Sequence, residues 1–527
     1  MFVDLQKAYD KVPHGALIRK LELIGFPRKL VRMVRALYDH PTMQVRTPSG
    51  HLSQLFDLEC GVRQGCPSSP VLFNLFVNDL MGALEKDEAG VSVPAMEERV
   101  AGLLFADDLV IIAEDEEKLQ NAADRLHGWC STWEMKANVS KCAILEIGKE
   151  LEDGSMDIKI GEEVVPVCNA YTYLGCEFTS QLDLDIMVEK RCEVGWQTLR
   201  EIEPFLRDTR IPIAYKRQMV VSVLIPQVLY GGEIWGMSAA RCAPAQRVID
   251  FACLAVLGIG GKGVGVSREA IRHELGIAPV HAMASARRGR AWVKFRAART
   301  WIARLLESPF RSRKSTWSSG TLKWLRTYHD KELVVTPKER AVTEATRLFE
   351  EIKKRLWSAS LENDATCTME WRMEASMGSM QERGLVEAGM RSSMYAKGFS
   401  VVSKLRTRAF RFAPWLAKVG YLPRAYLEKY PACGENVRED NVHLLLDCEK
   451  LAEERRIIEP LLREIEEIGS EICPSRRSEC DLLLGGGVPG DPPAILGSSC
   501  IAGWCCNVVS CSSWSHHCFL CTSRDSC

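Results

Sequence analysis

Two adjacent aspartates, Asp107 and Asp108, are the residues of this sequence whose types and spacing best suit chemistry. An apolar run at 100–104 and a second at 109–113 flank the tetrad 105–108, which is typical of two strands joined by a short turn. Adjacent carboxylates repel each other unless a cation neutralises them, and Mg²⁺ binds carboxylate oxygens. The pattern therefore predicts a hairpin tip that holds Mg²⁺ for phosphoryl or nucleotidyl transfer, with a plain polar turn as the alternative.

A further carboxylate is predicted on a strand at the start of the sequence. Residues 2–5 are apolar apart from Asp4, which falls at the end of this strand, and Tyr9 follows five residues later. A site for two metal ions needs a carboxylate from a second strand so that both ions are held from both sides. Asp4 is predicted to supply it, and Tyr9 to form a wall of the same pocket.

A loop rich in small residues followed by a helix is predicted at 61–80. Ser69 suits an N-cap and Pro70 the first helical position. The apolar stripe of this helix consists of Leu72, Leu75, Phe76 and Leu80. A loop carrying Arg63 and Gln64 at a helix N-terminus suits contact with an anion or a nucleotide, and an ordinary capped helix is the alternative.

Taken in chain order, these three segments resemble motifs A, B and C of a reverse transcriptase. FVDLQKAYDKVPH (2–14), GVRQGCPSSPVLFN (61–74) and FADD (105–108) are similar to the polymerases of non-LTR (LINE-type) retrotransposons, in the neighbourhood of jockey-like elements. The resemblance covers residues 1 to about 280 well and the remainder partly. It implies an RNA-directed DNA polymerase whose partners are an RNA template, a DNA primer or target, and dNTPs.

The resemblance also implies roles for the acidic segments. Asp4 and Asp107 match the two metal-binding carboxylates, and Asp108 matches their neighbour. Leu5 would offer its backbone carbonyl to a metal, and Tyr9 matches the aromatic gate that excludes a ribose 2′-hydroxyl. The implied cofactor is a pair of Mg²⁺ ions, or Mn²⁺. One ion would lower the pKa of the primer 3′-hydroxyl, and the other would hold the triphosphate.

Four further residues receive roles in nucleotide binding or proton transfer. Gln64 and Gly65 match the loop that packs on the incoming nucleotide and template, and Arg63 beside them would contact phosphate. Lys141 matches the lysine of motif D, which could protonate the leaving pyrophosphate. An exposed loop lysine is the alternative for Lys141.

A helix and two strands are predicted after the acidic tetrad. The acidic run 114–117 is predicted to open a helix, where negative charge favours the positive end of the dipole, rather than to bind metal. The apolar stripe of that helix is Leu119, Ala122, Ala123, Leu126, Cys130 and Trp133. Residues 143–147 are predicted to form a strand. Residues 171–175 are predicted to form either the strand near the primer grip or a plain sheet strand.

Net charge does not indicate a nucleic-acid binder, but the distribution of charge does. The 527 residues carry a net charge of −1, yet 281–330 contain twelve Lys/Arg and two Asp/Glu with aromatic residues interleaved. Basic residues with aromatics can bind phosphates and stack on bases. A solvated helix face with aromatics in the core is the alternative.

The cysteines suggest a metal site and an unusual end of the sequence. Cys433, His443 and Cys448 form a C-x9-H-x4-C series that resembles the C-terminal zinc module of such elements, but Tyr430 stands at the first ligand position. Structural Zn²⁺ takes four ligands, so weak binding, a substitute ligand and a decayed site remain alternatives. Seven of the 21 cysteines fall in 500–527, where an out-of-frame or read-through end is expected, with metal binding by its cysteine pairs as the alternative.

The predicted fold class is α+β, with a polymerase palm of antiparallel sheet backed by helices, then a mainly helical thumb and C-terminal region. The predicted domains are a palm at 1–180, a thumb-like helical region at 181–280, a basic helical connector at 281–425, a degenerate zinc-knuckle-like module with a helix at 426–470, and a disordered cysteine-rich tail at 471–527.

The start of the sequence bears on activity. Asp4 lies so near the first residue that the fingers subdomain is expected to be missing, as in an N-terminally truncated reading frame. A non-catalytic remnant that at most binds nucleic acid is therefore the alternative to a working polymerase. No signal peptide is visible, and the apolar run 220–226 is too short to cross a membrane. An intracellular protein without a membrane anchor is predicted, located in the nucleus if it integrates at a DNA target.

Overall fold

The computed structural model describes residues 1–86, 89–93, 97, 99–148, 156–260, 266–298, 301–307, 316–328, 338–363, 396–407, 409–410, 412–430, 433, 436–456 and 458–459. The chain separates into two compact units. The first unit consists of Met1–Met187 and Ala298–Thr316, and the second of Val188–Ala297 and Trp317–Cys527. The predicted tail at 471–527 lies outside the described residues, and the five predicted domains stay predictions.

Helices make up most of the described chain. They are α1 (Ala8–Lys11), α2 (His14–Leu23), α3 (Arg28–Leu37), α4 (Ser69–Leu84), α5 (Glu116–Thr132), α6 (Leu184–Arg207), α7 (Ile213–Met219), α8 (Ile225–Val228), α9 (Gly232–Trp235), α10 (Ala239–Val256), α11 (Arg268–Glu274), α12 (Val280–Arg296), α13 (Trp301–Glu307), α14 (Trp317–Tyr328) and α15 (Lys338–Asn363), followed by Ala396–Arg406, Ala413–Lys418 and Ala452–Arg455. Shorter 3₁₀ or π turns occupy Val139–Lys141, Val220–Leu224, Arg424–Leu427, His443–Asp447 and Glu449–Leu451. Among the described residues, no helix is both long and apolar enough to cross a membrane.

The strands are short and mostly antiparallel. They are β1 (Phe2–Asp4), β2 (Thr42–Met43), β3 (Phe56–Asp57), β4 (Val91–Ser92), β5 (Arg99–Val100), β6 (Gly102–Phe105), β7 (Asp108–Ile111), β8 (Ile144–Leu145), β9 (Lys159–Ile160), β10 (Glu163–Val164), β11 (Val167–Cys168), β12 (Ala170–Tyr173) and β13 (Cys176–Thr179). One sheet has the order β1-β7-β6, and the pairs β2·β3, β4·β5, β9·β10 and β12·β13 are antiparallel. Only β8·β11 is a parallel pair within the described part. Helices with small antiparallel sheets are compatible with the predicted α+β class.

The hairpin β6–β7 is the local structure that the sequence predicts around the acidic tetrad. Phe105 pairs with Asp108, so Ala106 and Asp107 form a two-residue turn, and Ala106 takes a left-handed φ of 54°. Gly102 is required in β6 because a Cβ there would collide with the carbonyl oxygen of Val110. A close backbone approach of this kind is a common reason for glycine inside a strand.

Helix α4 has the predicted buried stripe but not the predicted cap. Leu72, Phe76 and Leu80 are buried, whereas Leu75 is only half-buried. Ser68 rather than Ser69 is at the N-cap position, and no side chain caps the helix. The prediction for Ser69 was wrong because its hydroxyl donates instead to the carbonyl oxygen of Arg63, at 2.7 Å, and so anchors the preceding loop.

Helix α5 begins as predicted, with Asp115 as N-cap accepting from the backbone N–H of Lys118 at 2.8 Å. Glu114 lies outside the helix, where hydrogen bonds from Lys118 and Ser92 lower its pKa to about 2. The acidic run therefore has the electrostatic role that its position predicts. Two predicted strands are shorter than expected. The segment 143–147 contributes only Ile144–Leu145, and the segment 171–175 ends its strand at Tyr173 before a turn at Leu174.

A buried lysine that the sequence analysis did not single out joins α2, α4 and α5. Lys20 is only 3% exposed, and its Nζ donates to the carbonyl oxygen of Phe76 at 2.6 Å and to Asp79 at 2.5 Å. The same nitrogen lies 4.1–4.5 Å from the ring centroids of Phe76, Trp129 and Trp133. Burial outweighs the attraction of Asp79 and lowers the pKa of Lys20 to about 8.

In the second unit, α12 packs on α9, α10, α14 and α15. Arg288 of α12 is 8% exposed and donates to the carbonyl oxygens of Gly236 and Trp317, at 3.1 and 2.9 Å. Gly289 lies so close to Phe349 that any Cβ would overlap the ring. This stretch of the basic region is therefore part of a packed helical core.

Candidate active site

The pairing of β1 with β7 brings the predicted carboxylates together. Asp4 and Asp108 are directly opposite each other in the antiparallel register, and Asp107 lies in the adjoining turn. Partial burial of Asp108, followed by repulsion from Asp107 and Asp4, raises the pKa of its carboxyl above the ordinary value. Negative charge is therefore concentrated at this end of the sheet.

The donor set of this acidic cluster suits a hard divalent cation. It consists of carboxylate oxygens, which Mg²⁺ and Mn²⁺ prefer, and a cation would relieve the repulsion that raises the pKa of Asp108. The carboxylate oxygens of Asp4, Asp107 and Asp108 do not all lie within 4.8 Å of one another. Within the described part of the chain, the only group of three potential ligands whose atoms all lie within 4.8 Å of one another is Cys433, His443 and Cys448.

A turn of 3₁₀ helix at Val139–Lys141 approaches Asp4 from a second side. The backbone N–H of Asn138 donates to the Asp4 carbonyl oxygen at 2.8 Å, and its Nδ2 donates to Asp4 Oδ2 at 3.3 Å. Lys141 Nζ lies 3.9 Å from the same Oδ2 and is 68% exposed. The structure thus brings Lys141 to the acidic cluster. It also adds Asn138, to which the sequence analysis assigned no role.

The strand β12 contacts both the acidic cluster and the lysine turn. The Tyr173 hydroxyl donates to the Asp108 carbonyl oxygen at 3.4 Å, and the Tyr171 hydroxyl donates to the Lys141 carbonyl oxygen at 3.1 Å. The Tyr171 ring stacks on Phe2 of β1, with centroids 4.2 Å apart. Burial, chiefly, and the nearby carboxylates raise the pKa of both tyrosines, which keeps their hydroxyls protonated as donors.

The loop 60–65 lies against the start of the chain. The backbone N–H of Gly61 donates to Val12 and that of Val62 donates to Tyr9, both at 2.8 Å. The half-buried Tyr9 ring stacks on Phe73 of α4 at 4.3 Å. These contacts bring the predicted gate and the predicted nucleotide loop into one surface.

The remaining predicted residues have structural partners of their own. Gln64 Nε2 donates to Asp10 Oδ1 at 2.8 Å, and Arg63 Nη2 donates to the Leu37 carbonyl oxygen at 3.1 Å. Gly65 takes a φ of 81°, a left-handed conformation that favours glycine. Leu5 is buried and forms an isolated bridge with Ala137.

The basic region of the second unit contains an open cavity. Arg287 donates to the Leu229 carbonyl oxygen at 2.7 Å, and Arg290 lies 3.4 Å from Glu350. A cavity of about 390 Å³ adjoins them, lined by Glu233, Arg287, Arg290, Ala291, Val293, Lys294, Phe295 and Thr346. Lys294 and Phe295 are exposed, so this face offers a cation and a ring to a ligand, whereas Arg288 is held inside the core.

The predicted zinc ligands lie together in the second unit. Cys433 Sγ is 3.5 Å from His443 Nε2, and burial followed by repulsion from Cys433 raises the pKa of Cys448 to about 11. Tyr430 is 1% exposed, and its ring lies perpendicular to the His443 ring with centroids 5.0 Å apart. Tyr430 therefore occupies the neighbourhood of a fourth ligand with an aromatic ring.

Comparison with known proteins agrees with the motifs of the first unit. Residues 1–178 match the family model described as reverse transcriptase (RNA-dependent DNA polymerase). The retrovirus-related Pol polyprotein from type-1 retrotransposable element R2 of Popillia japonica is 25% identical over 257 residues, which are 47% of this chain and 40% of that protein.

Two further relatives come from Drosophila melanogaster. The RNA-directed DNA polymerase from mobile element jockey is 23% identical over 257 residues, 47% of this chain and 27% of that protein. The Pol polyprotein from type-2 retrotransposable element R2DM is 28% identical over 260 residues, 47% of this chain and 23% of that protein. The matched part thus spans less than half the length of each of these relatives.

Proposed function

We propose that this chain, whose residues 1–178 match the reverse transcriptase family model and resemble the polymerases of non-LTR retrotransposons, is an RNA-directed DNA polymerase. It would use an RNA template, a DNA primer or target, and dNTPs. The observation that carries the proposal is the register of β1 and β7, which sets Asp4 opposite Asp108 with Asp107 in the adjoining turn.

In this proposal Asp4, Asp107 and Asp108 hold two Mg²⁺ or Mn²⁺ ions, with the Leu5 carbonyl as a further ligand. Such ions supply an activated primer 3′-hydroxyl and stabilise charge on the triphosphate when they are bound. Asn138 restrains the Asp4 carboxylate from one side through its 3.3 Å hydrogen bond. Lys141 has the exposure and the proximity to Asp4 to protonate the leaving pyrophosphate.

The nucleotide pocket would be formed by the contact between loop 60–65 and the start of the chain. Tyr9, fixed by its stacking on Phe73, would exclude a 2′-hydroxyl by steric contact. Gln64 and Gly65 would pack on the incoming nucleotide. Arg63 already donates to the Leu37 carbonyl, so it would reach phosphate only with its remaining donors.

The assignment of a palm to the first unit and of a thumb to the helices after Leu184 belongs to the same proposal. Its support is the antiparallel sheet β1-β7-β6, which packs on α4, itself packed on α5, and which positions the acidic cluster at one end. Action in the nucleus would follow from integration at a DNA target.

The test is dNTP incorporation by the full chain on a primed RNA template with Mg²⁺ or Mn²⁺. We expect the wild type to incorporate dNTPs. The incorporation rate should fall at least about a hundredfold in Asp107→Asn, because a metal ligand is removed, and should be unchanged in Asp57→Asn. Asp57 is an exposed aspartate of β3 outside the acidic cluster, which makes it a matched control. Incorporation that survives Asp107→Asn would contradict the proposed mechanism.

A second candidate function is nucleic-acid binding without catalysis, favoured by the cavity beside α12. A phosphate could contact Lys294 and Arg290 while a base stacks on Phe295. The test is binding of a labelled single-stranded oligonucleotide at several salt concentrations. Lys294→Gln should weaken binding and reduce the salt slope by about 1, whereas Lys418→Gln, an exposed lysine elsewhere in the same unit, should change neither. Equal binding by both variants would exclude this cavity as the nucleic-acid binding site.

For Cys433, His443 and Cys448 we propose a zinc site with three protein ligands. Their atoms lie within 4.8 Å of one another, and thiolate with imidazole is a donor set that Zn²⁺ prefers. Three ligands hold zinc less tightly than four, so the affinity should be modest.

A further inference from the structure

The structure singles out one acidic residue close to the proposed nucleotide pocket whose role neither the motifs nor the comparisons assign. Asp10 is exposed and follows Tyr9 directly in α1. Its carboxylate accepts from Gln64 Nε2 at 2.8 Å, across 54 residues of sequence. Its backbone carbonyl accepts from Cys60 Sγ at 3.4 Å.

The backbone around Asp10 is held closely enough for this contact to be specific. The N–H groups of Gly61 and Val62 donate to the segment 9–12, and His14 Nε2 bonds to the Gly61 carbonyl at 2.9 Å. A Cβ on Gly61 would lie 2.8 Å from the Asp10 carbonyl oxygen, so only glycine permits this approach. The backbone contacts locate the loop, and the side-chain bond locates Gln64 within it.

The chemistry of the pair determines which way the Gln64 amide faces. An ionised carboxylate has only acceptors, so it must meet the NH₂ group of the amide and not its oxygen. The bond to Asp10 therefore turns Gln64 Oε1 away from Asp10 and leaves it as an acceptor. An amide without such a partner could present either end.

We propose that Asp10 is a positioning residue that fixes the amide of Gln64, so that Gln64 presents a hydrogen-bond acceptor to a donor group of the incoming nucleotide. This inference rests on the proposed polymerase function. A phosphate oxygen, which only accepts, does not match this orientation. Gln64 accordingly contributes to nucleotide binding through Oε1, and Asp10 acts only through Gln64.

The test is a double-mutant cycle of Asp10→Asn and Gln64→Glu, with KM for dNTP and kcat measured separately. Gln64→Glu alone sets two carboxylates against each other and should raise KM about tenfold with little change in kcat. Asp10→Asn alone lets the Gln64 amide take either orientation and should raise KM about twofold. In the double variant the amide introduced at position 10 donates to the new carboxylate, whose second oxygen remains an acceptor, so KM should return to within about threefold of wild type.

A matched control separates the hydrogen bond from net charge. Glu59→Gln combined with Gln64→Glu has the same net charge as the double variant but removes an exposed carboxylate that has no bond to Gln64. This control should stay as impaired as Gln64→Glu. Rescue by Glu59→Gln, absence of rescue by Asp10→Asn, or an unchanged KM in Gln64→Glu would each overturn the role of Asp10.

A second readout does not depend on catalysis. Cys66 directly follows loop 60–65, and its Sγ lies 3.1 Å from the Ser68 hydroxyl. Hydrogen bonds from Ser68 lower the pKa of the Cys66 thiol. The alkylation rate of Cys66, followed by peptide mass spectrometry, should change in Gln64→Glu and return to the wild-type rate with Asp10→Asn but not with Glu59→Gln. If the wild type incorporates no dNTP, the polymerase proposal fails while this pattern still tests the pair. If the alkylation rate of Cys66 were the same in wild type, Gln64→Glu and the double variant, the inference would be overturned even for an active enzyme.

Discussion

Replacing Asp108 by Asn should stabilise the metal-free first unit while abolishing incorporation. Directly opposed strand residues have Cβ atoms about 5 Å apart, so Asp4 and Asp108 repel each other by about 3 kcal/mol at an effective dielectric constant near 20 and by about 0.8 kcal/mol at that of water. Asp108 is partly exposed, and Lys141 Nζ lies 3.9 Å from Asp4 and offsets part of the repulsion. The expected gain is therefore about 1 kcal/mol. No side-chain hydrogen bond is lost, since the Tyr173 hydroxyl donates to the Asp108 backbone.

The assay is native-state hydrogen exchange of the β7 amides in EDTA, because exchange reports the local free energy of unfolding without assuming that both units unfold together. Addition of Mg²⁺ should make β7 more stable in wild type than in Asp108→Asn, the opposite of the result in EDTA. At a hundred times its Kd, a ligand adds about 2.7 kcal/mol to a protein that binds it, and Asp108→Asn should gain much less than wild type. Asp57→Asn should match wild type under both conditions, because Asp57 pairs with Thr42 in a separate two-stranded sheet.

The stability difference between wild type and Asp108→Asn should depend on pH in a defined direction. Because the folded pKa of Asp108 is raised, its contribution to stability is fully present below the unfolded pKa near 3.8 and is lost as pH rises through the folded pKa. Wild type and Asp108→Asn should therefore converge towards pH 4 and differ most at neutral pH. Slower β7 exchange in wild type than in Asp108→Asn at pH 7.5 in EDTA would refute the account of an unneutralised acidic cluster.

Three further predictions concern buried polar groups. The free energy of unfolding of Lys20→Met should be within about 1 kcal/mol of wild type at pH 7, since removal of a buried charge offsets the lost ring contacts. Lys20→Ala should lose about 2–5 kcal/mol, and urea unfolding of both variants makes the comparison. Glu439 is 2% exposed, and this burial raises the pKa of its carboxyl to about 7, so the stability of wild type should fall between pH 4.5 and 7. The stability of Glu439→Gln should be nearly constant over that range and about 1–3 kcal/mol higher than that of wild type at pH 8, as measured in thermal melts. Tyr430→Cys should supply the fourth ligand and raise zinc affinity at least tenfold in competition with a chelator, and Cys448→Ser should abolish binding; equal affinity in Tyr430→Cys and wild type would exclude residue 430 as a ligand position.

Local patterns were sufficient to predict several elements of the first unit, but not α2, α3 or the short strands between Thr42 and Asp57. The alternation of apolar runs around Asp107 predicted the hairpin, and the period of apolar residues predicted the buried faces of α4 and α5. Boundaries were less predictable. Ser69 satisfies the rule for an N-cap, but its hydroxyl donates to the carbonyl oxygen of Arg63 in the preceding loop, and Ser68 occupies the N-cap position instead.

The basic region shows where composition misleads. Twelve positive side chains among 281–330 suggested a surface for nucleic acid, yet Arg288 donates to backbone carbonyls inside the helical core. Arg287 likewise binds the Leu229 carbonyl, whereas Lys294 remains exposed. Composition counts charges, but only the packing of α12 on its neighbours separates structural arginines from available cations.

The sequence by itself determined the chemistry that this chain could perform, because the residue types of Asp4, Asp107 and Asp108 and their local strands are encoded within short segments. Only the tertiary structure decided which groups meet. Asp4 faces Asp108 across 104 residues, and Gln64 bonds to Asp10 across 54. Register and loop position are properties of long-range pairing, in which many weak contacts jointly select one arrangement. No short stretch of sequence contains that information.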